Sequence, residues 1–458
     1  MMNRQKLPDR SPRRKRLFMG YGIRIGILGL ALPFLGLALP LYSAAQSLDA
    51  LVSEAIENNP GLKASTYKVN GLHASANHTW FLEAPEIGVE FYQTPTASFP
   101  NPIKNQMEID YSLKQAFPFP GKIASRIDVE HKHAAMGEAE SASRLRALIL
   151  EVKSNYYELV LLDRRVELNR QNHILMNHLV EIARKQYEVG MGRQSDILKA
   201  QTETTNLTMD SLSLDQERQA RETLLLAILN RKVFSPIIRD EIPEPLEARL
   251  NMDQIRPILE KSHPELQFIK ADIQMREAEK NMARKEFYPD FMVGGAFKNM
   301  LQAPPGAHGS SPENYWSVMA TMNIPFAFWS LPKYRAGLTQ NEVRLREAEA
   351  EYTESKNRVL AKAQIALVKA SSNAEVLKLS RDRLLPQAKQ TLESTLAAYK
   401  GGKGEFMGLL DAYRMLLSAQ ENYEKTTVQL LISQAELEMA VGLSFPEIEK
   451  EISIGEKK

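Results

Sequence analysis

Within Asn105–Lys122, NQMEIDYSLKQAFPFPGK, apolar and polar residues alternate strictly over Met107–Lys114. Met107, Ile109, Tyr111 and Leu113 share one side, and Glu108, Asp110, Ser112 and Lys114 the other. That period of two belongs to a strand with one apolar face. Pro118, Pro120 and Gly121 stop it. The same alternation predicts a strand over Pro85–Gln93, where Ile87, Val89 and Phe91 oppose Glu86, Gly88 and Glu90. It predicts another over Asn314–Phe328, with Trp316, Val318, Ala320, Met322 and Ile324 on one side. A fourth, Asp290–Asn299, is less regular because Gly294 and Gly295 interrupt it. Elsewhere apolar residues recur at spacings of three and four, among Ala, Leu, Glu, Lys, Gln and Arg, which favour helix. Helices are expected over Leu48–Leu82 with a break near Asn59–Pro60, then over Lys122–Tyr187 and Ser195–Leu229. Further helices are expected over Met252–Phe287, Pro332–Tyr399 and Glu405–Val441, with Pro386 kinking or dividing the second of these. The fold class is mainly α with a small β part.

The chain repeats itself. Pro60 and Pro85 correspond to Pro264 and Pro289, and YEVGMGRQSDIL (Tyr187–Leu198) corresponds to YKGGKGEFMGLL (Tyr399–Leu410). Tyr187, Gly190 and Gly192 thus pair with Tyr399, Gly402 and Gly404. The offsets, 204 for the prolines and 212 for the tips, mark duplicated architecture. The expected organisation is a leader over 1–45, one repeat over 46–230, a proline- and charge-rich linker over 231–251, a second repeat over 252–444, and a tail over 445–458. Each repeat reads helix, strand, strand, helix, helix. The paired glycines suit turns between antiparallel helices rather than phosphate loops.

Alternating strands serve a small soluble sheet as well as a membrane barrel. Counting separates the two. Four strands cannot close a barrel, and an open edge is not tolerated in lipid. A membrane reading therefore requires copies of the chain to pool strands, and three copies supply twelve. Aromatic residues bracket the strands, among them Tyr92, Phe117, Tyr315, Phe328 and Trp329, in girdle-like placement. The apolar face, with Ile87, Val89, Met107, Ile109, Tyr111, Leu113, Trp316 and Val318, is then expected to meet lipid, and the polar face channel water.

Composition narrows the chemistry. A net charge of +2 gives no electrostatic case for nucleic-acid binding. With no cysteine, disulfides, thiolate metal sites and a cysteine nucleophile are excluded. Arg4–Arg16 is basic, Ile25–Tyr42 is apolar with Pro33 and Pro40 inside it, and Ser43, Ala44 and Ala45 follow. This is the order of a secretory signal peptide cleaved after Ala45. The histidines lack metal-site spacing, the methionines sit at core-like helical positions, and the carboxylates lie on charged helical faces. No catalytic, metal or cofactor site is expected, and the chain does not read as an enzyme. A periplasmic coiled-coil scaffold or adaptor is the other class this pattern allows.

The two-repeat layout with its paired tips resembles the TolC-type outer-membrane efflux proteins, also called outer membrane factors. QAFPFPGK (Gln115–Lys122) and RLLPQAKQTLESTLAAYKGG (Arg383–Gly402) resemble the branch found in cobalt–zinc–cadmium or copper–silver resistance. The resemblance implies a homotrimer, with a twelve-stranded barrel in the outer membrane and an α-helical barrel in the periplasm. It also implies a periplasmic adaptor and an inner-membrane efflux pump of the RND type as partners. Heavy-metal cations are the implied cargo, with drugs or other small organic molecules as the alternative. Tyr187, Gly190, Gly192, Tyr399, Gly402, Lys403 and Gly404 are carried over as the hairpin tips that close the tunnel and dock the adaptor. Asp411 is carried over as a channel-gate residue. Gly408 stands where the family has a second aspartate, so Asp411 either forms a reduced gate or only starts and solvates its helix.

Overall fold

The computed structural model describes residues 47–103, 105–232, 237, 250–301 and 313–455. The leader over 1–45, most of the linker over 231–251 and most of the loop after Leu301 lie outside these residues. In chain order come α1 (Leu48–Asn58), α2 (Pro60–His78), β1 (Glu86–Tyr92), β2 (Glu108–Phe117), α3 (Lys122–Glu188) and α4 (Gln194–Ile228). The second repeat follows with α5 (Met252–Ser262), α6 (Pro264–Lys285), β3 (Phe291–Met300), β4 (Tyr315–Met322), α7 (Leu331–Leu379), α8 (Leu385–Lys400), α9 (Phe406–Val441) and α10 (Phe445–Gly455). At 1.5 Å per residue, the 67 residues of α3 extend about 100 Å. No helix among the described residues is long and apolar enough to cross a membrane.

Each repeat contains a joint where a short helix meets the end of a long one. At the first, the Asn59 side chain accepts from the Leu62 N–H to cap α2, and its Nδ2 donates to the Ile228 carbonyl at the end of α4 (3.1 Å). At the second, His263 Nδ1 accepts from the Glu265 N–H to cap α6, and Ser262 Oγ donates to the Val441 carbonyl at the end of α9. Pro60 and Pro264 occupy first helical positions, where a missing N–H costs nothing. A continuous helix over Met252–Phe287 was expected. The chain instead divides there into α5 and α6, because a residue before proline is driven out of the helical region and His263 is extended. Pro386 divides its stretch as well: a π turn over Ser380–Leu384 widens the helix where the proline ring would meet the Asp382 carbonyl.

Three apolar clusters hold the helices. One joins α3, α4, α8 and α9 through Met176, Leu179, Leu207, Leu392, Leu409 and Tyr413. A second packs α1 on α3 and α4 through Leu51, Tyr156, Leu159 and Leu225. The third packs α5 and α10 on α7 and α9 through Ile255, Leu259, Val359, Leu437, Phe445 and Ile448. Each fully buried large apolar side chain contributes about 1.5–3 kcal/mol. The tail, given no element by the sequence pattern, is thus a docked helix over Phe445–Gly455.

The strands form one antiparallel sheet in the order β1-β2-β3-β4. Strand β4 ends at Met322 and does not reach Phe328 as expected. Pro325 has no N–H to give a ladder, and the Asn323 backbone and side chain are engaged by Asp290. Strand β2 begins at Glu108, so Met107 lies just before it, although its carbonyl still accepts from Leu301 N–H (2.8 Å). At the helix end of the sheet Lys122, only 1% exposed, donates to Asp290 (2.9 Å) and Glu286 (3.4 Å). Asp290 also accepts from the Phe119 N–H, and Phe119 stacks on Tyr288 with centroids 4.6 Å apart. This clasp ties the start of α3 to the start of β3.

Candidate functional site

The sheet register carries the apolar residues into rows. Ile87 faces Leu113, which faces Gly295, which faces Val318; Val89 faces Tyr111, then Phe297, then Trp316. Most of this face is open in the single chain, and Ile87, Val89, Tyr111, Leu113, Trp316 and Val318 are all exposed, with Ile109 half-buried. The opposite face is polar. Glu90 pairs in register with Asp110 and Tyr92 with Glu108, while Lys298 of β3 bridges Glu108 (2.8 Å) and Asp110 (3.0 Å). The outer edges of β1 and β4 have no strand beside them among the described residues.

The helical-hairpin tips share most of their turn hydrogen bonds. In the first, Gly190 N–H donates to the Tyr187 carbonyl, and the Met191 and Gly192 N–H groups to Gln186. In the second, Gly402 N–H donates to Tyr399 and Lys403 N–H to Ala398. Gly190 and Gly402 are left-handed, with φ of +77° and +69°, a conformation strained for any side chain. Gly192 and Gly404 are needed for a different reason. A Cβ there would lie 3.0 Å from Tyr187 N and 3.1 Å from Tyr399 N respectively. The two tips also touch: Gln186 Nε2 donates to the Lys400 carbonyl (3.0 Å), and Met191 Sδ lies beside Gly402.

The two tip tyrosines are not equivalent. Tyr187 is 48% exposed, whereas Tyr399 is 4% exposed and packs edge-on against Phe406 (5.5 Å). Burial, and secondarily the Asp196 carboxylate, push the Tyr399 hydroxyl up from its ordinary pKa. Lys403 is exposed at the tip. Asp411 is exposed on α9, in the second turn after Phe406 and one turn before Arg414. Sequence reasoning missed what Arg414 does. Its guanidinium grips Glu203 of α4 through two hydrogen bonds of 3.2 and 2.9 Å, and the Glu203 side chain is largely buried. The Lys122–Asp290 clasp and the Lys298 bridge were missed as well, since nothing local in the sequence pairs residues so far apart.

The chain matches the model of the family described as outer membrane efflux protein over residues 51–231 and 257–443. It is 21% identical over 421 residues to the outer membrane protein TolC of Vibrio cholerae, covering 87% of this chain and 91% of the relative. It is also 21% identical over 390 residues to the cobalt-zinc-cadmium resistance protein CzcC of Cupriavidus metallidurans, covering 82% and 85%. Among solved structures, CusC, studied for its folding and transmembrane channel formation, superposes with a TM-score of 0.73 at 16% identity over 88% of this chain and 93% of that one. The matched segments take in both repeats and both tips, and the chain belongs to the outer membrane efflux protein family and is a protein of the outer membrane.

Proposed function

We propose that three copies of this chain pool their strands into a twelve-stranded barrel and act as the exit duct of a tripartite efflux system. An inner-membrane pump of the RND type and a periplasmic adaptor supply the cargo, and the duct conducts it passively to the outside. The observation that carries this reading is the four-stranded sheet with an exposed apolar face, a polar face opposite and two edges unpaired among the described residues. An edge in lipid must be closed, and β1 and β4 are the strands available to close it between copies. The long helices extend into the periplasm, and the paired tips carrying Tyr187 and Lys403 serve adaptor docking and closure.

Heavy-metal cations are the proposed cargo, with drugs as the alternative. The similarity to CzcC supports the first. So do the carboxylates of Glu86, Glu90, Glu108 and Asp110, which outnumber Lys114 and Lys298 on the polar sheet face. The test is deletion of the gene in its host and complementation, read as growth inhibition by cobalt, zinc, cadmium, copper and silver salts and by a panel of hydrophobic drugs. Metal sensitivity of the deletion strain, relieved by the wild-type gene, is expected. Drug sensitivity alone transfers the duct to the alternative cargo, and unchanged growth in every condition removes the export reading.

A further inference from the structure

The two helix joints share one design but differ at one position. At the first, Asn59 uses both halves of its side chain, one to cap α2 and one to bind the end of α4. At the second, His263 caps α6 with Nδ1, and its other ring nitrogen has no protein partner among the described residues. Because Nδ1 accepts, Nε2 carries the hydrogen and is a free donor. Burial holds the His263 pKa down to about 4, with Lys362 pushing the same way and Glu265 opposing, so the ring is neutral at pH 7.

His263 is 9% exposed and lines a half-open cavity of about 280 Å³ between α3, α6, α7 and α9. Leu150, Ile365, Ala366, Met439 and Ala440 give it an apolar wall. Five charged side chains stand around that wall. Glu265 is already held by Arg358 (2.6 Å), and Glu436 is paired with Lys369 (3.3 Å). Arg146 and Lys362 remain. The Glu447 carboxyl is lowered chiefly by hydrogen bonds from Ser444 and only slightly by Arg146, and neither cation has a carboxylate within ion-pair reach among the described residues. The helical spacing explains why they converge: Arg146 and Leu150 share a face of α3, as Lys362, Ile365, Ala366 and Lys369 share a face of α7.

We propose that this cavity is a binding site for a small organic carboxylate with an apolar body. Arg146 and Lys362 neutralise the carboxylate, the His263 Nε2–H donates to it, and the body lies against Leu150, Ile365 and Met439. The chemistry follows from the lining: a free donor and two cations set beside an apolar wall match an amphiphilic anion better than an inorganic one. The inference does not depend on the conduction path proposed above.

Benzoate is the probe, with benzyl alcohol as its uncharged counterpart, each titrated by calorimetry into the whole protein in non-ionic detergent. Saturable benzoate binding is expected, with the alcohol at least tenfold weaker. Arg146→Gln and Lys362→Gln should each weaken benzoate about tenfold and leave the alcohol unchanged, as expected for one charge-assisted contact. His263→Asn keeps a competent helix cap, as Asn59 does in the first repeat, and should weaken benzoate by a similar factor without lowering the melting temperature. Absence of saturable benzoate binding overturns the proposal. So does equal affinity for the alcohol, or benzoate affinity unchanged in all three variants.

Discussion

Glu203 is a carboxylate that the fold largely removes from water, and Arg414 makes that position tolerable. The guanidinium beside it holds the Glu203 carboxyl below its ordinary pKa, against an opposing push from burial. The folded chain therefore gives up this proton more readily than the unfolded chain does. The stabilisation is complete above the unfolded glutamate pKa of about 4.3 and fades as pH falls through the lower folded value. Half of Arg414 is solvated, so the pair is worth about 1–2 kcal/mol rather than the larger figure of a fully buried bridge. Glu203→Gln should lower the melting temperature at pH 7, and the gap to wild type should close below about pH 4. Melts of the detergent-extracted protein across that range check it, and an equal penalty at both ends would take the charge out of the account. Such a pair is illegible in sequence, because its members are 211 positions apart among many other charges. The tip glycines were legible for the opposite reason: a left-handed turn is a demand that a few adjacent residues place on one position.

Strands and helices differed in how much of them could be read. Strand β2 announced itself because its faces meet different surroundings over ten residues and Pro118 stops it. The end of β4 was overrun by six residues, because alternation continues in the sequence past the point where Pro325 and Asn323 end the ladder. The division between α5 and α6 could have been read from Pro264, since Pro60 had already placed a break at the matching position of the first repeat. What alternation could not say is which solvent each face meets. If the apolar rows face lipid, Val89→Arg or Val318→Arg puts a charge into hydrocarbon at about 2–4 kcal/mol per chain near the midplane. Glu90→Gln, on the polar side of the same strand as Val89, changes only the lumen. Gel mobility of unheated samples reads the assembled fraction. Both arginine variants should lose it and Glu90→Gln should keep it; equal tolerance of all three would mean that the apolar face is covered by protein.

For the whole molecule the governing constraint is closure. One chain offers four strands and two edges unpaired among the described residues, and in the proposed twelve-stranded trimer symmetry would bring three copies of every tip residue around one axis. Tyr399 is already buried against Phe406 of its own hairpin, which leaves exposed groups near the tips, Lys403 and Asp411 among them, to face whatever stands across the opening. Asp411 is too far along α9 to cap it, since Glu405 holds the cap position, so helix initiation does not account for it. Arg414, one turn on, feels the Asp411 charge but gives its hydrogen bonds to Glu203. Three such carboxylates brought close together repel one another, and a multivalent cation with a preference for hard oxygen ligands relieves that repulsion by bridging them. Single-channel conductance should therefore fall when millimolar divalent or trivalent cations are added on the periplasmic side. Asp411→Asn should lose most of that block while the assembled species survives on gels. If wild type and variant are blocked alike, the carboxylates do not meet at the axis, and closure falls to the glycine-turned tips alone.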